Sequence, residues 1–135
     1  MKRLWGSAGL IAGLAAAGAA AAGDLDGRWV PPTGNVEIVF APCGPGLCGT
    51  VARVMANHSM EGPGASKAAA PKIGMMIVTD LHTNGPGHWK GKLFDRERGK
   101  TYDCLLTPTG ATMTVRAYVG LPAFGKSLIW TRARS

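Results

Sequence analysis

The sequence predicts an all-β chain, a sandwich or a closed barrel of about eight short antiparallel strands. Three observations predict it. Beyond residue 26, apolar residues alternate with polar ones and no helical period appears. The alternating stretches are short, and 20 Gly and 9 Pro punctuate them. Apolar residues make up 46% of the chain and charged ones 17%, which suits a packed core and excludes a charged disordered tail. At 135 residues the chain has room for one domain.

The elements follow in order. Gly27 to Val30 opens the first strand, which Pro31-Pro32-Thr33-Gly34 ends. Val36, Ile38 and Phe40 alternate with Glu37 in the second, and the third spans Cys48 to Met55. Residues 57–72, rich in Ala, Gly, Ser and Pro, show no period and read as a mobile loop at one rim. The apolar run Ile73 to Val78 is the fourth strand, too short for a helix. Trp89, Gly91 and Leu93 alternate with Lys90 and Lys92 in the fifth, before a turn at Asp95 to Lys100 in which Gly99 suits a positive φ. Tyr102, Cys104 and Leu106 share one face of the sixth, which the turn Pro108-Thr109-Gly110 ends. Met113, Val115 and Ala117 share one face of the seventh. Leu121 to Gly125 is a connector with one short helical turn, and Leu128 to Arg132 is the last strand.

The first 22 residues stand apart. Lys2 and Arg3 precede an Ala/Gly-rich apolar run, and Ala20 and Ala22 form a small-x-small site before Gly23. This is the layout of a cleaved secretory signal. Ala and Gly carry little transfer energy and no basic cluster follows the run, so no stable membrane span is expected. The mature domain is then residues 23–135. Its formal charge is +5 once Lys2 and Arg3 are set aside from the +7 of the whole chain.

The cysteines agree with export. Cys43 and Cys48 bracket GPGL, a four-residue hairpin loop that sets its flanks opposite each other, and a disulfide is expected between them in an oxidising compartment. Cys104 is left over and reads as a small buried apolar residue.

No motif names a reaction. FGKS lacks the Gly spacing of a phosphate loop, and no G-x-S-x-G elbow occurs. His82 and His88 flank a turn and could approach each other, but neither has a Cys or carboxylate at ligand spacing, so no metal site and no cofactor are expected. Asp95 and Glu97 sit on a turn beside Arg96 and Arg98, which favours surface ion pairing over acid–base catalysis. No catalytic residue is assigned. Lys90, Lys92, Arg96, Arg98 and Lys100 form a basic hairpin. Nucleic acid is not the expected partner, because no exposed aromatics interleave with these charges.

Gly27-Arg28-Trp29 is the G-x-W motif that opens lipocalin-like barrels, and Trp130-Thr131-Arg132 closes the chain. In that plan a late Arg stacks on the early Trp and seals one end. The order GRWV, VEIVFAPCGPGLCGTV, PKIGMMIV, HWKGKLFDRERGKTY and VGLPAFGKSLIWTR resembles the bacterial family DUF2147 across the whole mature chain. The loop MANHSMEGPGASKAAAPK departs from the Asp/Asn-Pro segment with Arg usual there. The resemblance implies a secreted or periplasmic meander β-barrel, lipocalin-like, with no established reaction. The expected function is binding of a small, mostly apolar ligand inside the barrel, with Trp29, Trp89, Tyr102, Trp130 and Arg132 as candidate contacts. The alternative is an envelope structural or interaction protein that contacts anionic lipid or glycan through residues 90–100.

Overall fold

A computed structural model describes residues 23–134; the signal-like segment 1–22 lies outside the described residues. Eight antiparallel strands close into a barrel in which each strand pairs with its sequence neighbours. They are β1 (Trp29–Val30), β2 (Val36–Cys43), β3 (Gly46–Val54), β4 (Met76–Thr83), β5 (Trp89–Asp95), β6 (Lys100–Thr109), β7 (Thr112–Tyr118) and β8 (Lys126–Arg132). A 3-10 turn, Pro122–Phe124, joins the last two. The all-β expectation holds, and of the two architectures that alternation allowed, the chain adopts the barrel.

The inward registers follow the alternation. Trp89, Gly91 and Leu93 oppose Leu106, Cys104 and Tyr102 across β5 and β6. Cys104, Leu106 and Pro108 in turn oppose Ala117, Val115 and Met113. The fourth strand is where the reading shifts. It begins at Met76 rather than Ile73 and runs on to Thr83. Lys72 to Met75 form a turn, in which Met75 N–H donates to Lys72 O, Gly74 has φ +90° and Ile73 is exposed. The polar end of β4 hides its strand character because a bulge interrupts the alternation. The register slips between Thr79 and His82, Asp80 has φ +53°, and Val78 and Leu81 both reach the core although three residues apart.

The hairpin at the disulfide is also tighter than expected. Cys43 pairs with Gly46 and Ala41 with Cys48, so the turn holds two residues and the cysteines sit diagonally, with Cα atoms 5.7 Å apart. That separation still suits the Cys43–Cys48 bridge, which is present.

One end of the barrel is plugged. Leu25 is buried beneath it, and its carbonyl accepts the Trp29 indole N–H at 3.1 Å. The Arg132 guanidinium lies 4.2 Å from the Trp29 ring centroid and donates to the carbonyls of Asp26 and Gly110. Gly27 is required here twice over: its φ is +88°, and a Cβ would sit 3.0 Å from Arg132 Nη1. The bore next to this plug is filled. A Cβ on Gly91 would meet Thr79 O at 2.8 Å and Leu81 Cα at 3.1 Å, so the β4 backbone occupies the space that a side chain would take.

Cys104 is fully buried, and burial pushes its thiol up from 9.0 to about 12. The fold keeps the neutral thiol, so the unfolded chain ionises first. Stability is therefore insensitive to Cys104 well below pH 9 and falls as pH rises through 9.0 toward about 12, by up to about 1.4 kcal/mol per pH unit. Urea melts from neutral to alkaline pH are expected to show this slope, and Cys104→Ala to flatten it; an unchanged slope would contradict the assignment. Arg132→Ala is expected to cost about 2 kcal/mol through the lost stack and hydrogen bonds, and Arg132→Lys to restore less than half, measured by the same melts.

Candidate ligand-binding cup

The end opposite the plug is open. Four connections form its rim: Pro31–Asn35 between β1 and β2, the long segment between β3 and β4, the Arg96–Gly99 turn, and the segment between β7 and β8. Below the rim lies a cavity of about 430 Å³. Its apolar wall is made by inward residues of β2, β5, β7 and β8, among them Ile38, Leu93, Ala117 and Leu128. Ala117 is the short side chain on this wall, so the upper bore stays empty where the lower bore is filled. The volume falls in the range of small-molecule sites, about 300–1,000 Å³.

The five residues expected to meet a ligand do not gather in one place. Tyr102 and Trp130 line the cavity. Trp130 pairs with Met113 beside the β6–β7 turn, which places it deep in the bore; it is 2% exposed. Its indole N–H has no hydrogen-bond partner among the described residues. Trp29 and Arg132 belong to the plug instead. Trp89 lies at the plugged end, beside a shallower depression that also involves Thr83 and His88. Period-2 patterning tells which side chains point inward, but not how far along the bore each one lies.

Sequence reasoning missed the residues that build the rim. Asn35 is buried, and its side chain both donates to His58 O at 3.0 Å and accepts from His58 N–H at 2.7 Å. Its carbonyl accepts the N–H groups of Met55 and Ala56. The Arg96–Arg98 turn then holds the segment 57–72 from the other side. Arg96 donates to Asn57 Oδ1 at 2.8 Å and to Ala69 O. Glu97 accepts from the Ser59 hydroxyl and the Met60 N–H, and Arg98 pairs with Glu61 and Asp95. Glu97 is thus a clamp on the loop rather than a partner for a neighbouring Arg. Asp95 also closes its own turn, accepting Arg98 N–H at 3.1 Å. A short carboxylate opening a turn that ends in Gly99 is the local signal for Asp95; nothing local marks Asn35.

The remaining charges are distributed over the outer wall. Glu37, which alternates with the apolar residues of β2, lies buried beneath Arg28 and Arg53, which approach its carboxylate to 3.0 and 3.5 Å. Lys92 pairs with Asp103, and this hydrogen bond raises the Lys92 pKa. Of the basic hairpin, Lys90 and Lys100 are the two without an ion pair or side-chain hydrogen bond among the described residues. The histidines flanking the β4–β5 turn engage different partners: His82 Nδ1 donates to Asp80 O, and His88 Nδ1 meets the Thr107 hydroxyl.

The family described as "Uncharacterized protein conserved in bacteria (DUF2147)" matches residues 27–132. The chain belongs to the DUF2147 family. The match begins at Gly27, which makes room for Arg132, and ends at Arg132 itself, so it spans the Trp29–Arg132 stack and all eight strands of this DUF2147 barrel. No curated protein and no solved structure matches the chain.

Removing the Arg96 side chain is expected to free segment 57–72. Limited proteolysis of Arg96→Ala should cut within this segment about tenfold faster than in the wild type, with the melting temperature lowered by only a few degrees. Equal cutting rates would show that the segment is held by other contacts.

Proposed function

We propose that this DUF2147 barrel is a binding module of lipocalin-like type that holds a small, mostly apolar ligand in its cup. The observation that carries the reading is the cavity of about 430 Å³, apolar in its walls and open at one end of an otherwise packed barrel. A filled barrel of this strand number has no need of such a space, because eight strands enclose a bore that side chains can fill. Trp130 lines the base of this cup and offers a ligand its apolar ring. Tyr102 lines the same cup and joins Trp130 as a proposed contact; Trp29 and Arg132 support it from the plug.

The disulfide fits an oxidising compartment, and no helix among the described residues is long and apolar enough to cross a membrane. We place the protein in the periplasm or outside the cell, delivered by cleavage after residue 22. Binding is preferred to envelope contact through residues 90–100, because Lys92, Arg96 and Arg98 are already engaged within the barrel.

Native mass spectrometry of protein taken from its own cell envelope is expected to show a bound apolar molecule of a few hundred daltons. Ala117→Phe fills the cup. It is expected to weaken uptake of a fluorescent apolar probe by about tenfold or more while leaving the far-UV spectrum unchanged. Probe uptake that ignores this substitution would place binding elsewhere.

A further inference from the structure

The open end of the barrel carries an apolar surface that the core does not use. Phe124 is 79% exposed, Ile73 73%, Val119 72% and Leu121 61%. They come from two connections, β7–β8 and β3–β4, that lie at the same end of the barrel by topology. Val119 and Phe124 also line the cup, so the β7–β8 side of this surface is continuous with its mouth; Ile73 stands on the connection across the ring.

The β7–β8 connection is built as a rigid apolar tip. Residues 119–127 contain no carboxylate and one cation, Lys126. The 3-10 turn meets its own backbone needs, with Phe124 N–H donating to Leu121 O and Gly125 N–H to Pro122 O, both at 3.1 Å. Arg116, reaching up from the outer wall of β7, donates to Pro122 O at 2.9 Å and Ala123 O at 3.4 Å and holds Ser127 at 2.9 Å. A segment whose carbonyls already have donors loses little on leaving water for lipid.

The charge around the mouth has one sign to offer. Lys67, Lys72, Lys100 and Lys126 stand at this end without ion pairs among the described residues. The carboxylates there are engaged: Glu61 and Asp95 by Arg98, Glu97 by Ser59 and Met60. Exposed apolar side chains at the same barrel end as unpaired lysines match an interface of acyl chains beneath anionic headgroups.

We propose that the open end of the barrel docks on an anionic lipid bilayer, with the Leu121–Phe124 tip set at the acyl-chain boundary and the cup mouth facing the lipid. The inference deepens the binding reading and rests on it, since docking gives an apolar ligand a path into the cup that avoids water. It shares only Lys100 with the 90–100 hairpin.

The test is co-sedimentation of the purified protein with vesicles of phosphatidylcholine mixed with phosphatidylglycerol, and with phosphatidylcholine alone. Binding is expected to the mixed vesicles, weakening with salt. The double substitution Leu121→Asp with Ile73→Asp, at exposed residues that do not line the cup, is expected to lower it about tenfold or more. Absence of binding to the mixed vesicles, or binding that the double substitution leaves unchanged, overturns the proposal. So does a concentration-dependent dimer abolished by the same substitutions, without vesicle binding, which would make a second copy the occupant of the patch. Apolar-probe uptake in vesicle-free solution separates the two readings: the double variant is expected to retain it. Wild-type protein that takes up the probe but does not bind the mixed vesicles removes docking alone, and wild-type vesicle binding without any probe uptake removes the cup.

Discussion

The barrel depends on how Arg132 meets Trp29. Closure of the sheet runs through β1, which is two residues long and pairs with β2 on one side and β8 on the other. Trp29 opposes both Ile38 and Arg132, and Val30 opposes Thr131. Three backbone pairings are a thin seam for a closed structure. Side chains supply what the ladder lacks: the guanidinium on the indole face, its hydrogen bonds to Asp26 and Gly110, and Leu25 wedged beneath. A partly buried cation on an indole face contributes about 1 kcal/mol, comparable to a pairing in the ladder of so short a strand.

Sealing one end settles where space is left. The aromatic and aliphatic side chains near the plug, together with the close approach of β4 at Gly91, fill the lower bore. Toward the other end, Ala117 replaces bulk with a methyl group, and the rim is built from connections rather than from core side chains. Those connections hold one another by polar contacts, through Asn35 on one side and the Arg96–Arg98 turn on the other. A cup held open by hydrogen bonds at its rim and closed by packing at its base can admit a ligand without disturbing the fold.

Much of this was legible in the sequence. Alternation fixed the inward faces of β5 to β7, G-x-W with a terminal Arg pointed to the plug, and the two cysteines bracketing a turn gave the bridge. Three things were not. The β4 bulge at Asp80 breaks the period that reveals strands, so the apolar run Ile73 to Val78 starts three residues before the strand and stops five residues short of its end. The depth of each inward residue along the bore depends on strand stagger, which no single strand records; hence Trp89 and Trp130 looked alike and lie apart. The rim contacts span 23 to 39 positions along the chain and join ordinary polar residues, so no local pattern announces them.

Trp130 offers the most direct measurement of the central claim, because it lines the cup while Trp29 and Trp89 do not. A brominated apolar probe quenches indole emission at close range. The account predicts saturable quenching of the wild type that is largely lost in Trp130→Phe and kept in Trp89→Phe. Quenching that fails to saturate, or that survives Trp130→Phe, would contradict a cup above Trp130 and with it the ligand-binding reading.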